Sequence, residues 1–506
     1  MNLITSLVWF IIFLFQANGH HGHRQHGFNL AGRLASSYNN RNNPEQIHIS
    51  LGSLPYDIVM MWSTKEEETF YVEYGNDPKT LTRAKGAISE LKIDSEQAAR
   101  FLHRAELLGL KPGARYSYRI INGNSTVKSE TLTFEVPHND SAKSHSFLIV
   151  ADMGMLTKAL QFLIHEAVNG EYEVVFHVGD IAYNLNSEGG SLGDHYMNRV
   201  AKFTSHVPYM TTPGDHERFR SFYHYRYRFS MPNSPWPMKE ENLWYSIDIG
   251  HTHFISINTE YFLPESEYKS HQLQWLRQDL KAANKKRKSS PWIIVMGHKP
   301  IYCTKSVMEQ ECHKENSAIR EELEDLFFEQ GVDLYISGHK HSYERSWPMY
   351  LSRTFQTNYF NPMAPVYIIN GAMGYEYLFD EQKSSPYWLA FSVSDKRKEL
   401  FARLNVINET HLVWTVHAAS TNEEVDYVQI IQKNHGSFGK PGVAALDKIK
   451  PRTNRQDLPP EPFHIVDVES QSYQSRRLIL FSAVFSLSFI LFLFLRSHKV
   501  RKVLHL

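Results

Sequence analysis

The chain has 506 residues, 42% hydrophobic and 21% charged, a globular composition in a length that exceeds one hydrophobic core and calls for at least two domains. Lys+Arg and Asp+Glu both total 54, so no global field draws the protein toward nucleic acid. The 27 histidines make histidine clusters near aspartate the first thing to look for.

In chain order, "LVWFIIFLF" (7–15) followed by "QANGH" reads as a signal-peptide core with Ala17 and Gly19 near a cleavage point, giving residues 1–19 as a signal. "HHGHRQHG" (20–27) is unpatterned, the composition of a disordered terminus. From 44 to 136 short alternating runs predict strands: "DIVMMWS" (57–63), "FYVEYG" (70–75), "FLHRAEL" (101–107), "RYSYRII" (115–121) and "TLTFEV" (131–136). Strands at this spacing predict a small β-sandwich, and "LKPGARYSYRI" (110–120) resembles the Leu-x-Pro-Gly-x-x-Tyr turn of fibronectin type III modules.

After the polar linker "PHNDSAKSH" (137–145), strands and helices alternate, which predicts an α/β core over 146–432. Its strand runs are "SFLIVAD" (146–152), "YEVVFHVGD" (172–180), "HVPYMTTPGD" (206–215), "HTHFISINTE" (251–260), "PWIIVMGH" (291–298) and "VDLYISGHKH" (332–341). "AIREELEDLFFEQG" (318–331) sets Ile319, Leu323, Leu326 and Phe327 on one helical face. Residues 433–477 turn polar and proline-bearing, as a stalk does. "LILFSAVFSLSFILFLFL" (478–495) is free of charge and about 27 Å long as a helix, close to a bilayer core. Arg476 and Arg477 precede it, while Arg496, Lys499, Arg501 and Lys502 follow. The heavier basic flank predicts a cytoplasmic tail (496–506) and a single-pass type I protein whose body is lumenal or extracellular. In that compartment Cys303 and Cys312, the only two cysteines, are expected to form a local disulfide. Asn124, Asn139 and Asn408 begin glycosylation sequons.

The predicted strands end alike. Asp152, Asp180, the Asp215–His216 pair, His298, and His339 with His341 each follow an apolar run. In α/β sheets ligands gather beyond the carboxyl ends of strands, so these side chains are expected to converge. Carboxylates mixed with imidazoles suit a pair of first-row transition ions, and two cysteines are too few for a Cys₄ zinc site.

"ADMG", "GDIAY", "PGDHE", "VMGH" and "GHKH" resemble, in order and spacing, the purple acid phosphatases of the metallophosphoesterase superfamily. "GDHYMNRV" and the cysteine pair are most similar to an animal branch, and "FARLNVINETHLVWTVH" (401–417) looks like the family's closing segment. The resemblance implies a fibronectin-like sandwich followed by a metallophosphoesterase α/β sandwich. It implies Asp152, Asp180, Tyr183 and His341 around a ferric ion, and Asp180, Asp215, His298 and His339 around a second ion (zinc, iron or manganese), with Asp180 bridging. His216 would face the substrate phosphate as the catalytic acid, and His313 would be a further phosphate contact. Where the family usually reads "GNHE" this chain reads "GDHE"; an aspartate still offers oxygen but adds a charge that weakens Lewis acidity and repels phosphate.

The expected activity is hydrolysis of small phosphate monoesters or phosphoproteins at acidic pH by hydroxide generated on the metal pair. Two alternatives stand beside it. One is a diesterase or nucleotide pyrophosphatase; the other is a catalytically weak cell-surface binding protein.

Overall fold

The computed structural model describes residues 42–439, apart from 78, 93–99, 141, 156, 171, 264–265, 305–317, 374–385 and 394–398. The signal, the 20–27 segment, most of the stalk, the 478–495 segment, the tail, Cys312 and His313 therefore lie outside the described residues.

Eight strands build the N-terminal sandwich: β1 (Glu45–Leu51), β2 (Ile58–Thr64), β3 (Phe70–Gly75), β4 (Thr82–Lys85), β5 (Ala87–Leu91), β6 (Arg100–Leu107), β7 (Arg115–Asn122) and β8 (Leu132–Glu135). They form two antiparallel sheets, β1-β2-β6-β5 and β4-β3-β7-β8. Alternation along β7 buries Tyr116, Tyr118 and Ile120 against Trp62, Phe70, Val72 and Phe134. In the Pro-Gly turn before β7, the Lys111 N–H donates to the Tyr116 hydroxyl at 3.1 Å, which fixes the entry of that strand.

The α/β part follows with β9 (His145–Val150), β10 (Val174–Val178), β11 (Tyr209–Thr212), β12 (Tyr245–Ile249), β13 (Thr252–Ile257), β14 (Trp292–Gly297), β15 (Leu334–Ser337) and β16 (Tyr343–Ser346). A short ribbon, β17 (Met349–Tyr350) and β18 (Arg353–Thr354), precedes β19 (Val366–Asn370), β20 (Leu389–Val393), β21 (Leu400–Val406), β22 (His411–Ala418) and β23 (Glu424–Ile431). These make a six-stranded sheet, β11-β10-β9-β21-β22-β23, and a seven-stranded one, β12-β13-β14-β15-β19-β16-β20. Strands β9, β10 and β11 run parallel, as do β13, β14, β15 and β19. Phe147 and Phe176 of one sheet each meet Phe254 of the other at 4.8 Å between ring centroids, so the two sheets face each other across an aromatic layer.

Helices complete the layers. Leu276 and Leu280 of Lys269–Lys285, with Ile319, Leu323, Leu326 and Phe327 of Ala318–Gln330, cover Ile255, Ile293, Val295 and Tyr335. Each such aliphatic side chain contributes about 1.5–3 kcal/mol on burial. The helix Ser191–Thr204 binds the sandwich instead. Its buried Asp194 accepts from Arg100 and Arg228, both at 2.9 Å, and from Gln46 at 3.0 Å. "GDHYMNRV" thus serves the fold directly. Its aspartate locks β1 and β6 to the body, where an unpaired Arg228 would be a costly buried charge.

Candidate metal centre

The expected strand ends meet at one place, and they come from both sheets. Asp152 follows β9, Asp180 follows β10 and Asp215 follows β11; His298 follows β14, and His339 and His341 follow β15. A parallel strand fully buried on both faces reads as an unbroken apolar run, and its carboxyl end is the first place where polar groups can gather.

Two groups of donors result. In the first, the Tyr183 hydroxyl donates to Asp152 Oδ1 at 2.9 Å and lies 2.9 Å from His341 Nε2, which is itself 3.5 Å from Asp152 Oδ1. Asp152 is fully buried and also accepts from the His339 backbone N–H at 3.1 and 2.9 Å. In the second, one ligand atom each from Asp180, Asp215, His298 and His339 lie within 4.8 Å of one another. His298 Nε2 is 3.2 Å from Asp180 Oδ1 and 3.1 Å from Asp215 Oδ1, and His339 Nδ1 is 3.0 Å from that same Asp215 oxygen.

This donor set fits a pair of cations. His298 Nδ1 donates to the Val178 carbonyl at 3.1 Å; that bond orients the ring so that Nε2 faces Asp180 and Asp215, the outer-shell arrangement of a metal-ligating imidazole. Burial, with the Asp152 and Asp180 carboxylates beside it, holds the Tyr183 phenol well above its ordinary range, so its ionised form needs a nearby cation. Against a burial that opposes it, hydrogen bonds from His298 and His339 hold the Asp215 carboxyl well below the usual carboxylate range. The cluster thus keeps its carboxylate ionised with imidazoles facing it.

Backbone geometry shapes the cradle. Gly179 has φ +79°, and a Cβ there would sit 2.3 Å from His298 Nδ1; only glycine allows the β10 turn to approach that ring. A Cβ on Gly338 would lie 2.3 Å from Asp152 Oδ2. Gly297 closes β14, and a Cβ there would meet Tyr335 and Thr259.

His216 stands at the rim, its side chain 34% exposed. Its Nδ1 donates to Asn184 Oδ1 at 2.6 Å, its ring lies 4.3 Å from that of Tyr183, and its Nε2 is 3.8 Å from Asp180 Oδ2. Asn184, Glu217, Lys299 and Glu260 are the members that sequence reasoning passed over. Buried Glu217 accepts at 2.9 Å from the backbone N–H groups of Asp180, Ile181 and Gly214, tying the "GDIAY" and "PGDHE" loops together. Lys299 Nζ lies 3.6 Å from Asp215 Oδ1 and 3.8 Å from buried Glu260. Their sole signal was adjacency: Asn184, Glu217 and Lys299 each stand within two residues of a candidate ligand or His216.

Of the other expected residues, Cys303 is buried, and no cysteine among the described residues is free. Asn124 and Asn139 are exposed and Asn408 is half-buried.

Comparison with known proteins supplies the lineage. Residues 44–136 match the model described as purple acid phosphatase, N-terminal domain; 145–343 match calcineurin-like phosphoesterase; and 364–427 match iron/zinc purple acid phosphatase-like protein C. Acid phosphatase type 7 of Danio rerio is 34% identical over 419 residues, covering 78% of this chain and 92% of the relative. The Mus musculus protein of that name is 36% identical, covering 73% and 86%. The structure of a purple acid phosphatase from yellow lupin (Lupinus luteus) seeds superposes with a TM-score of 0.69 at 20% identity, covering 79% of this chain and 77% of that one, a likeness of fold. The chain belongs to the purple acid phosphatase family, within the metallophosphoesterase superfamily.

Proposed function

We propose that this chain is an acid phosphatase that hydrolyses phosphate monoesters at a binuclear metal centre. The observation that carries the reading is the pair of donor groups on one set of strand ends, with a half-buried imidazole at their rim. Asp152, Asp180, Tyr183 and His341 would hold a ferric ion. Asp180, Asp215, His298 and His339 would hold zinc, iron or manganese, with Asp180 between the two. Bound there, such ions supply Lewis-acid charge for the phosphoryl oxygens and a nucleophile at acidic pH.

The chain's own residues do the rest. His216, oriented by Asn184, presents Nε2 toward the cleft, where it can hold a phosphate oxygen or give a proton to the leaving alcohol. Glu217 keeps the loops carrying Asp180 and Asp215 in register, so the donors stay placed while substrate enters. Lys299 balances the charge that Asp215 adds. His313 is kept as a further phosphate contact.

The protein is also proposed to enter the secretory pathway by its 1–19 segment, to be anchored by 478–495 as a type I protein, to carry glycans on Asn124, Asn139 and Asn408, and to pair Cys303 with Cys312. Among the described residues no helix is long and apolar enough to cross a membrane, and the 478–495 segment lies outside them.

The test is to purify the protein, measure bound metals, and assay monoesters, diesters and nucleotide pyrophosphates across acidic to neutral pH. Two metals per chain with monoesters preferred at acidic pH is the expected result. Preference for a diester or pyrophosphate would replace the reading with the diesterase one. Asp215→Ala is expected to lose the second ion alone, and full retention of metal and unchanged kinetics would reduce Asp215 to a loop residue.

A further inference from the structure

The polar linker ends at the opposite end of β9 from Asp152, about 20 Å away along a six-residue strand. There His138 of the linker, His145 at the start of β9 and Glu173 just before β10 bring one ligand atom each within 4.8 Å of one another. Glu173 Oε2 lies 2.6 Å from His145 Nδ1, and Oε1 lies 3.7 Å from His138 Nε2. The carboxylate is held in place because Oε1 also accepts from the His138 backbone N–H at 2.8 Å.

We propose that this cluster is a third metal site, separate from the binuclear centre, that takes a divalent zinc-class ion. Two imidazoles and one carboxylate are a donor set that zinc accepts, with one position left for water. The two rings stack at 4.1 Å between centroids with a 27° tilt. His138 Nε2 also donates to the Ser144 carbonyl at 3.3 Å, a contact that an ion would replace, while His138 Nδ1 and His145 Nε2 are buried and make no hydrogen bond within the fold. Room and access exist: a cavity of about 220 Å³ is lined by His138, Tyr56 and His251, and a groove of about 880 Å³ by His138, Glu173 and His206. An ion here would displace the proton shared between His145 and Glu173 and fasten the linker to the base of the first catalytic sheet.

The experiment uses the full chain, stripped with chelator, reloaded with zinc, passed through a desalting column and analysed for metal per chain. Wild type is expected to retain one equivalent more than His138→Ala or Glu173→Gln, and zinc is expected to raise the melting temperature of wild type more than that of either variant. Both variants keep the histidines at 20–27, so their contribution cancels in the difference. Glu173→Gln keeps an oxygen for the His138 backbone and is read alone if His138→Ala does not fold. Monoesterase activity and the equivalents lost in Asp215→Ala are expected to be the same in wild type and His138→Ala backgrounds, which separates failure here from failure of the catalytic reading. Wild-type zinc content in His138→Ala and Glu173→Gln overturns the proposal.

Discussion

Asp215→Asn is the sharpest test of how this centre handles phosphate. The carboxylate, 30% exposed, lies among His298, His339 and Lys299. A phosphate charge roughly 6 Å from it would be repelled by about 3 kcal/mol at an effective dielectric of about 20, and by about half that nearer solvent. Lys299, 3.6 Å from the same oxygen, offsets most of this while the pair is intact. Removing only the carboxylate charge therefore leaves the lysine acting on phosphate without opposition. The expected outcome is inhibition by inorganic phosphate about 10- to 100-fold tighter at low ionic strength, shrinking as salt is added. Lys299→Met is expected to weaken inhibition comparably, and the double variant to return near wild type. Metal analysis runs alongside, because the amide still offers an oxygen and both ions are expected to stay. An inhibition constant within about twofold of wild type at low salt, with full metal content, would show that the charge at 215 does not reach the substrate. A double variant far from wild type would remove Lys299 from the account.

Tyr183→Phe deletes the phenol between Asp152 and His341 and is expected to abolish visible charge-transfer absorption of the iron-loaded protein; an unchanged spectrum rejects the ligand role. Glu217→Gln must turn an amide NH₂ toward at least one of the three backbone N–H groups it now accepts from, at a cost of about 1–3 kcal/mol in denaturant unfolding; an unchanged midpoint at unchanged m-value contradicts the clamp. Burial holds His103 down to about 4 and His177 down to about 3, below the ordinary 6.5. The unfolded chain therefore gains protons first, and stability present above 6.5 is lost as pH falls toward 4, by about 2 kcal/mol per histidine at pH 5. His103→Gln is expected to flatten that decline by about one histidine's share, measured as unfolding free energy from neutral pH down to about 4.5, and an equally steep decline refutes the assignment.

Much of this architecture was legible because its central strands are buried on both faces. Apart from Ser146 and His177, "SFLIV", "VVFHV" and "WIIVMG" are apolar runs that each stop at a ligand-bearing turn, so type, position and end were readable together. The sandwich edges were not. In β4 and β5 only Leu91 is buried, so no alternation announces them. β1 hides for the opposite reason: its polar residues Gln46, His48 and Ser50 are buried too, bonding Asp194, the Arg228 carbonyl and the Ser230 carbonyl. That pattern is intelligible only once the partner surface is known. Within the site, Asp, His and Tyr announce themselves by type, whereas Glu217 and Lys299 act through backbone amides and charge, contacts that spacing along one chain does not encode.

The ligand-bearing turns share a conformational feature that connects fold to function. Asp152, Asp180, Tyr183 and His339 have φ of 56°, 52°, 49° and 68°, the left-handed region, which costs an L-residue roughly 1–2 kcal/mol each. A solvated loop would relax out of it. These four cannot, because each is held from outside its own turn. The Asp152 and Asp180 N–H groups bond the Gly179 carbonyl and Glu217, the Tyr183 hydroxyl bonds Asp152, and the His339 N–H bonds the Asp152 carboxylate. Anionic oxygens are thereby gathered where mutual repulsion and backbone preference both oppose them, and the packing of two sheets offsets that cost. Cations would relieve the repulsion while the packing keeps the backbone in place, which explains why the donors come from turns at the ends of rigid strands rather than from the surface loops.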